Sequence, residues 1–285
     1  MTELIGPDLF RRLKTVGDPT VSPDGSKCVY VLSWIDDDTS EPRARIYQVA
    51  LDSSNGDGRP QPFTQGNNDG HPRFSPDGAI LAFLRAGAGH TGFYAPVVSD
   101  VSPEDHPEKP DLPTTREVHR IRYRHDAIGW RGDSHFHLFL VDASTAACVQ
   151  LTDGDWDDMA PSWSPDGRRL AFISGRSGSR DVTATNEIYV VEVPDGVDPD
   201  GEAPEPELWS RDLTDVAAVS WAPDGRRLLA AGGSGDGLMV LWQAYLYVLE
   251  LGCPPRQLTG DSLRPCLGYP GIFPSSRTAV AGWRR

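Results

Sequence analysis

Residues 160–174 read APSWSPDGRRLAFIS, and much of the fold can be worked out from this segment. Its centre, Ser164–Gly167, has the composition of a tight turn. Proline presets φ, aspartate suits the second central position, and glycine takes the left-handed exit without steric cost. The run 170–173 (LAFI) that follows is apolar at every position. A strand with one solvent-exposed face alternates apolar and polar residues instead, so this pattern predicts a strand packed between two layers of protein.

The same turn followed by an apolar strand occurs four times in the chain. The other copies are residues 20–32 (TVSPDGSKCVYVL), 72–84 (PRFSPDGAILAFL) and 219–231 (VSWAPDGRRLLAA). Apolar–threonine pairs mark the ends of the units, and these are Phe63-Thr64, Leu151-Thr152, Leu213-Thr214 and Leu258-Thr259. Strand-only repeats with one signature turn per unit are typical of a β-propeller, in which each blade packs both faces on its neighbours.

The expected fold class is all-β, a β-propeller with about five recognisable blades of up to four antiparallel strands. The repeats are expected to occupy residues 20–262. Residues 1–19 would hold a short N-terminal helix and the segment that leads into the first blade. Residues 263–285 would form an irregular tail, because the repeat pattern decays there. The third blade, over about 116–152, would lack the SPDG turn.

Composition argues against several classes of function. The chain has 285 residues and a formal net charge of −14, which disfavours nucleic acid and anionic membrane surfaces as partners. None of the four cysteines (Cys28, Cys148, Cys253 and Cys266) lies in a CxxC pair. No run approaches the ~18 apolar residues of a membrane-spanning helix, and the N-terminus lacks the apolar run of a signal peptide. We therefore expect a soluble cytoplasmic protein.

Two short motifs suggest chemistry but fit the predicted strands poorly. Residues 87–92 (GAGHTG) match the GxGxxG dinucleotide fingerprint, which requires a helix next, whereas prolines follow here. Residues 232–237 (GGSGDG) approach a GxSxG nucleophile elbow, but Asp236 replaces the last glycine and the segment joins two strands. We therefore predict hairpin loops at both places, no bound cofactor and no catalytic serine.

A row of arginines is the candidate binding site in the third blade. Arg120, Arg122 and Arg124 alternate with apolar residues, so they share one face of a predicted strand. Such a row can bind carboxylates bidentately. The alternative is an exposed blade edge, or ion pairs with the acidic loops of the chain. We consider the three arginines as substrate-binding candidates and leave this alternative open.

Histidines and aspartates in the same region raise the question of a metal site. His135 and His137 share one strand face, and an acidic turn follows at Asp153, Asp155, Asp157 and Asp158. The histidine pair has no third ligand that the sequence can place. The acidic turn lacks the full Asp-x-Asp-x-Asp-Gly loop with a distal glutamate. We interpret both as structural features and predict no metal.

Two segments carry a resemblance to a known family. Residues 8–25 (DLFRRLKTVGDPTVSPDG) and 120–174, which contain RYR, HLFLVD, LTDGD and WSPDG, resemble the propeller half of prolyl oligopeptidase-family serine peptidases. The bacterial acylaminoacyl-peptidase and dipeptidyl-peptidase-like branch is the most similar, and the resemblance extends from Asp8 to about Thr259. SPDG repeats alone are less specific, since TolB-like periplasmic propellers also contain them.

The resemblance implies a function that this chain would carry out only in part. In the family, a propeller of usually seven blades caps an α/β-hydrolase domain with a Ser, Asp and His triad and limits access to short peptides. This chain looks like an incomplete propeller of that kind, without GxSxG and without the strand–helix series of a hydrolase domain. No catalytic residue can be transferred to it. The expected partners are therefore a hydrolase domain and short peptides. The alternative is a free-standing TolB-like propeller that binds protein or peptide.

Overall fold

The computed structural model describes residues 12–38, 41–51, 58–86, 121, 124–125, 129–130, 135–183, 185–197, 204–211, 213–233 and 244–259. The elements in these ranges are β-strands, which form four four-stranded antiparallel sheets and one two-stranded sheet. No helix in the described ranges is long and apolar enough to cross a bilayer. The proposed tail at 263–285 and most of the proposed N-terminal helix lie outside the described residues.

Each four-stranded sheet is one blade. Blade one contains β1 (Thr15–Val21), β2 (Lys27–Ile35), β3 (Pro42–Ala50) and β4 (Gln61–Pro62). Blade two begins with β5 (Asp69–Phe74) and β6 (Ile80–Ala86). The small hairpin of β7 (Arg124–His125) and β8 (Gly129–Trp130) follows, and then β9 (Phe136–Asp142) and β10 (Cys148–Gln150) complete blade two. Blade three contains β11 (Asp158–Trp163), β12 (Arg169–Ser174), β13 (Glu187–Glu192) and β14 (Glu207–Leu208). Blade four contains β15 (Thr214–Trp221), β16 (Arg227–Gly233), β17 (Tyr245–Glu250) and β18 (Arg256–Gln257).

The all-β propeller architecture is confirmed, but the described residues form four blades rather than about five. The expected second and third blades are one sheet with the strand order β10-β9-β6-β5. The SPDG turn is absent from the expected third blade because β9 and β10 are the third and fourth strands of a blade that already has its turn. A long insertion between Ala86 and Phe136 separates the two halves in sequence. The first strand also begins at Thr15, before the expected boundary at Thr20.

One of the four predicted unit ends was wrong. In three blades a threonine hydroxyl after β4, β10 or β18 accepts a hydrogen bond from a third-strand amide, as Thr152 Oγ1 does from Leu138 N at 2.9 Å. In blade three the acceptor is Ser210 Oγ, 2.7 Å from Ile188 N. The pair that ends this blade is therefore Trp209-Ser210, whereas Leu213-Thr214 leads into β15.

Three hydrophobic clusters join the four blades. We call the face that contacts the next blade along the chain the forward face, and the opposite face the rear face. Leu170 and Phe172 form part of the rear face of blade three and pack on blade two. Ala171 and Ile173, on the forward face of the same strand, pack on blade four. All four side chains are buried, so the prediction of a strand packed on both sides is confirmed.

The SPDG turns lie at one end of the blades and contact one another in series. A Cβ on Gly78 would lie 3.2 Å from Pro23 Cδ, and Gly167 approaches Pro76 in the same way at 3.5 Å. Gly78 and Gly167 have φ of 75° and 72°, a conformation that other residues adopt only with strain. In three of the four turns a buried serine hydroxyl donates to the aspartate, as Ser164 Oγ does to Asp166 Oδ1 at 2.6 Å. The motif therefore fixes both the turn and the stacking of neighbouring blades.

These turns predict a loss of stability in acid. The hydrogen bond from the Ser22 hydroxyl is the main reason why the pKa of Asp24 is lowered from 3.8 to about 2. The serine hydroxyls of two other turns lower the pKa of Asp77 and Asp166. A lowered carboxyl pKa contributes stability that is complete above the unfolded-state pKa and is lost as pH falls through the folded-state pKa. We therefore expect the free energy of unfolding to decrease as the pH is lowered from about 4 towards 2.

Urea denaturation at a series of pH values measures this effect. A variant with asparagine at positions 24, 77 and 166 serves as the control, because it has no carboxyl group to titrate in these turns. Its stability is expected to depend less steeply on pH between about 4 and 2. Equal slopes for the two proteins would show that the turn carboxylates do not contribute.

Candidate functional site: a histidine, aspartate and arginine cluster between blades two and three

The charged side chains of the candidate site lie at the end of the blades opposite the SPDG turns. We call it the crossover end, because the connections from the fourth strand of one blade to the first strand of the next lie there. The loops between second and third strands, including the long insertion of blade two, also start from this end. The start of β9 and the connection 152–157 place a group of charged side chains there.

His135 lies between two carboxylates. Its Nε2 is 3.2 Å from Asp155 Oδ1, and its Nδ1 is 3.4 Å from Asp157 Oδ1. Asp157 also accepts a hydrogen bond from the Phe136 amide at 2.9 Å, which ties the acidic turn to β9. Arg180 pairs with Asp155 and donates to its backbone carbonyl at 3.0 Å. The His135 side chain is 6% exposed, whereas the Asp155 side chain is 53% exposed. The cluster therefore presents a carboxylate and a guanidinium at the surface above a buried imidazole.

Asp158 is the buried anchor of the same cluster. Its side chain is fully buried, Arg176 Nη2 lies 3.1 Å from Oδ1, and His137 Nδ1 lies 3.5 Å from Oδ2. The Thr152 hydroxyl donates to Oδ2. A buried carboxylate is tolerated only when a cation and hydrogen-bond donors compensate for lost hydration. The Thr152 hydroxyl and the Arg176 guanidinium supply that compensation.

Arg176 lies among aromatic rings. Its guanidinium carbon is 4.9 Å from the Trp156 ring centroid, 5.2 Å from Phe172 and 4.7 Å from Tyr189. Such contacts favour a cation that is partly removed from water. Burial is the largest of the effects that raise the pKa of Tyr189 to about 12, so this phenol is neutral at ordinary pH.

Blade two contains a similar group of a buried aspartate, an arginine and aromatic rings, and this comparison shows which residues of the cluster support the fold. Arg85 donates to both oxygens of buried Asp69, at 2.7 and 3.0 Å, and lies over the rings of Phe83 and Phe139. A Cβ on Gly66 would clash with the Asp69 carboxylate and the Arg85 guanidinium, so a larger residue there would displace this ion pair. Because the Asp–Arg–aromatic group recurs in a second blade, we assign it to the scaffold. The features particular to blades two and three are the histidine pair, Asp155 and Arg180.

A smaller polar group lies on the first strands of blades one and two. The first strands of successive blades contact one another, so they are the inner strands of the propeller. Asp18 and His71 have φ of 46° and 53° where the β1–β2 and β5–β6 registers shift. Asp18 Oδ1 pairs with Arg73 Nη1 at 3.0 Å, and Asp18 Oδ2 lies 3.7 Å from His71 Nδ1. Burial lowers the pKa of His71, although Asp18 opposes this effect.

Only some of the residues that the sequence analysis singled out lie in the described part of the chain. Arg120 and Arg122 lie outside the described residues, and of Arg124 only the backbone is described, where it pairs with Trp130 in the β7–β8 hairpin. Residues 87–92 also lie outside the described part of the chain, as do all but the first two of residues 232–237. His135 and His137 have ring centroids 6.4 Å apart, and each lies near an aspartate. In the described part of the chain, no group of three or more His, Cys, Asp or Glu side chains could hold a metal ion.

Sequence reasoning missed Arg176 and Arg180. Both lie in the connection between β12 and β13, GRSGSRDVTATN, which reads as an ordinary polar loop. The histidine pair and the acidic turn were each noticed, but as separate metal-site candidates. The signal available in the sequence was that the histidine pair, the acidic turn and the two arginines all lie at strand ends on the same side of adjacent blades.

Sequence comparison finds bacterial peptidases and TolB homologues. No protein-family model matches the chain. The chain is 25% identical over 228 residues to an uncharacterized peptidase, YuxL, of Bacillus subtilis. The alignment covers 67% of this chain and 34% of YuxL. It is 24% identical over 245 residues to dipeptidyl-peptidase 5 of Porphyromonas gingivalis, with coverages of 68% and 35%. A TolB homologue of Chlorobium chlorochromatii is 30% identical over 110 residues, or 37% of this chain and 23% of that protein.

Comparison with solved structures gives the same two groups. TolB from Acinetobacter baumannii superposes with a TM-score of 0.51 at 18% identity, covering 88% of this chain and 45% of that one. Acylaminoacyl peptidase of Pyrococcus horikoshii also gives a TM-score of 0.51, at 16% identity, with coverages of 87% and 33%. The chain spans about a third of the length of the two peptidases that it matches in sequence. It is thus a β-propeller whose relatives include bacterial peptidases and TolB proteins.

Proposed function

We propose that this chain is the propeller portion of a serine peptidase of the prolyl oligopeptidase family. In this proposal it has no catalytic residue of its own, and it gates and helps to bind short peptides for an α/β-hydrolase domain. The observation that carries the proposal is the sequence similarity to two bacterial peptidases over about two thirds of the chain.

The charges of the cluster suit the ends of a short peptide. Asp155 is paired with Arg180 and still 53% exposed, so its carboxylate can accept hydrogen bonds from a peptide ammonium group. We propose that Asp155 binds the peptide amino terminus. We propose further that the row Arg120, Arg122 and Arg124 contributes to binding the carboxylate, since guanidinium groups bind carboxylates bidentately.

Titration calorimetry with short peptides tests the role of Asp155. The Asp155→Asn variant should bind peptides with a free amino terminus about tenfold more weakly, since a hydrogen bond to a charged group is worth about 1.5–3 kcal/mol. Binding of N-acetylated peptides should not change. Asp224→Asn, at the turn end, is the matched control. Equal affinities of the wild-type chain for free and acetylated peptides would remove the proposed role of Asp155 without touching the rest of the proposal.

Hydrolysis measurements test the proposal as a whole. Acyl transfer by serine requires a histidine to take the proton, a carboxylate to orient it and donors for the oxyanion. We expect the purified 285-residue chain to cleave neither acylated nor free aminoacyl chromogenic substrates, and a fluorophosphonate probe to label no serine. A longer polypeptide that adds an α/β-hydrolase domain should cleave these substrates, and the probe should label its serine nucleophile. Labelling of a serine in this chain alone would contradict the proposal.

The second candidate function is a binding module of the TolB type. The observations that favour it are the 30% identity to a TolB homologue and the TM-score of 0.51 with a TolB structure. A module of this type would bind a protein or a peptide and would give no hydrolysis in any longer polypeptide. The hydrolysis experiment therefore also separates the two candidates.

A further inference from the structure

The two arginine–aspartate pairs of the cluster differ in their contact with water. The side chains of Arg176 and Asp158 are 13% and 0% exposed, whereas those of Arg180 and Asp155 are 24% and 53% exposed. Separating a buried pair leaves a charge without compensation and is costly. Separating an exposed pair lets water replace the lost contact, and such pairs contribute little. The pair of Arg180 and Asp155 can therefore open in the folded protein, whereas that of Arg176 and Asp158 stays closed.

The two carboxylate oxygens of Asp155 have different partners. Oδ1 lies 3.2 Å from Nε2 of His135, and the other ring nitrogen of His135 lies 3.4 Å from Asp157 Oδ1. Asp157 is fixed in turn by the Phe136 amide, which donates to it at 2.9 Å. Oδ2 of Asp155 binds Nη2 of Arg180. The contacts through His135 would therefore hold the carboxylate in place after the guanidinium had left, and Oδ2 could then accept another donor.

Arg180 makes the contacts that a ligand cation would make. Its guanidinium donates through Nη2 to the Asp155 carboxylate and through Nε to the Asp155 main-chain carbonyl, the latter at 3.0 Å. A primary ammonium group also carries several N–H donors on one positive centre, so it can donate to the same two acceptors. Two positive groups at one carboxylate repel each other. Arg180 and a peptide ammonium group would therefore compete for Asp155.

The loop that carries Arg180 has hydrogen bonds of its own. Within this connection between β12 and β13, the Ser179 carbonyl accepts the Val182 amide at 2.9 Å. The hydroxyls of Ser177 and Ser179 are hydrogen-bonded to each other, also at 2.9 Å. The other contact of the guanidinium, from Nη1 to the Ser177 carbonyl, is 3.4 Å long. The arginine side chain can therefore leave Asp155 while the main chain of the loop keeps its conformation.

We propose that Arg180 is an internal competitor of the peptide amino terminus and occupies Asp155 in the absence of peptide. This inference rests on the proposed role of Asp155 in binding that terminus. A peptide gains Asp155 only when the guanidinium has left, so its apparent affinity is reduced in proportion to the fraction of molecules in which the pair is open. The contact therefore selects against cations that make no further contact with the site.

Titration calorimetry with the Arg180→Gln variant tests the competition. We expect peptides with a free amino terminus to bind this variant about fivefold more tightly than the wild-type chain, which is the upper end of the range for an exposed ion pair. N-acetylated peptides should bind both proteins equally. The gain should be absent when Asp155→Asn is combined with Arg180→Gln, because it requires the carboxylate. Damage to the fold would weaken binding, so it cannot explain a gain in affinity.

The matched control is Arg227→Gln. Arg227 also forms an exposed pair with an aspartate, since its Nη2 lies 2.7 Å from Asp224 Oδ2, but this pair belongs to the turn of blade four. The control variant has the same net charge as Arg180→Gln and should bind peptides as the wild-type chain does. A similar gain in Arg227→Gln would show a general effect of net charge and would overturn the proposal.

The possible results distinguish this inference from the proposed function. If the wild-type chain prefers free over acetylated peptides and Arg180→Gln binds them no more tightly, Asp155 keeps its role and competition by Arg180 is disproved. If neither protein distinguishes free from acetylated peptides, the role of Asp155 and this inference both fail. Weaker binding of free peptides by Arg180→Gln would show that Arg180 itself holds the peptide, which would also overturn the proposal.

Discussion

Replacing Phe172 with alanine should lower the free energy of unfolding by about 3–5 kcal/mol. Phe172 is completely buried between blades two and three, where it packs with Tyr189 at a ring separation of 6.1 Å. It also lies 5.2 Å beneath the Arg176 guanidinium. Both neighbouring blades are held by their own strand pairing and cannot close the gap. The substitution therefore leaves a cavity in addition to the lost burial.

The matched control is Tyr30→Ala. Tyr30 occupies the equivalent sheet position in blade one, but it is partly exposed and no described blade covers it. Urea denaturation should show a clearly smaller loss for Tyr30→Ala than for Phe172→Ala, at unchanged m-value. If both variants lost the same free energy of unfolding, packing between blades would not determine the loss of stability at this position.

Removing the Asp158 carboxylate should have an effect of similar size. In Asp158→Ala, Arg176 would remain with a side chain only 13% exposed and without its counter-ion. The Thr152 hydroxyl would lose its acceptor. Removing one partner of a buried pair typically costs about 3–5 kcal/mol, because an uncompensated charge stays buried.

A double-mutant cycle identifies the origin of this loss. If the buried arginine causes it, then Asp158→Ala combined with Arg176→Met should be less destabilised than the sum of the two single variants, by about 1–3 kcal/mol. Asp224→Ala provides the exposed comparison, because its partner Arg227 is in contact with solvent, and it should cause a much smaller loss. Additive effects of the two substitutions at 158 and 176 would contradict this explanation.

Part of the candidate site was visible in the sequence. The spacing of His135 and His137 gives them one strand face, and the acidic turn at 153–158 was recognised as a unit. Their partners were not, because Arg176 is separated from Asp158 by the β11–β12 hairpin and only the closing of that hairpin brings them together. Side chains that meet through strand pairing have no fixed spacing along the chain.

The local architecture of this protein can be predicted from its amino-acid sequence. The SPDG turns and the two-sided apolar strands depend on backbone preferences and on burial within a few residues, and both can be read directly from 20–32, 72–84 and 160–174. The tertiary structure decided which strands belong to one blade. β6 pairs with β9 across the long insertion, and Trp209-Ser210 rather than Leu213-Thr214 ends blade three. Strand pairing and blade stacking depend on contacts between distant residues, so the blade count and the buried Asp158–Arg176 pair emerged only from the folded chain.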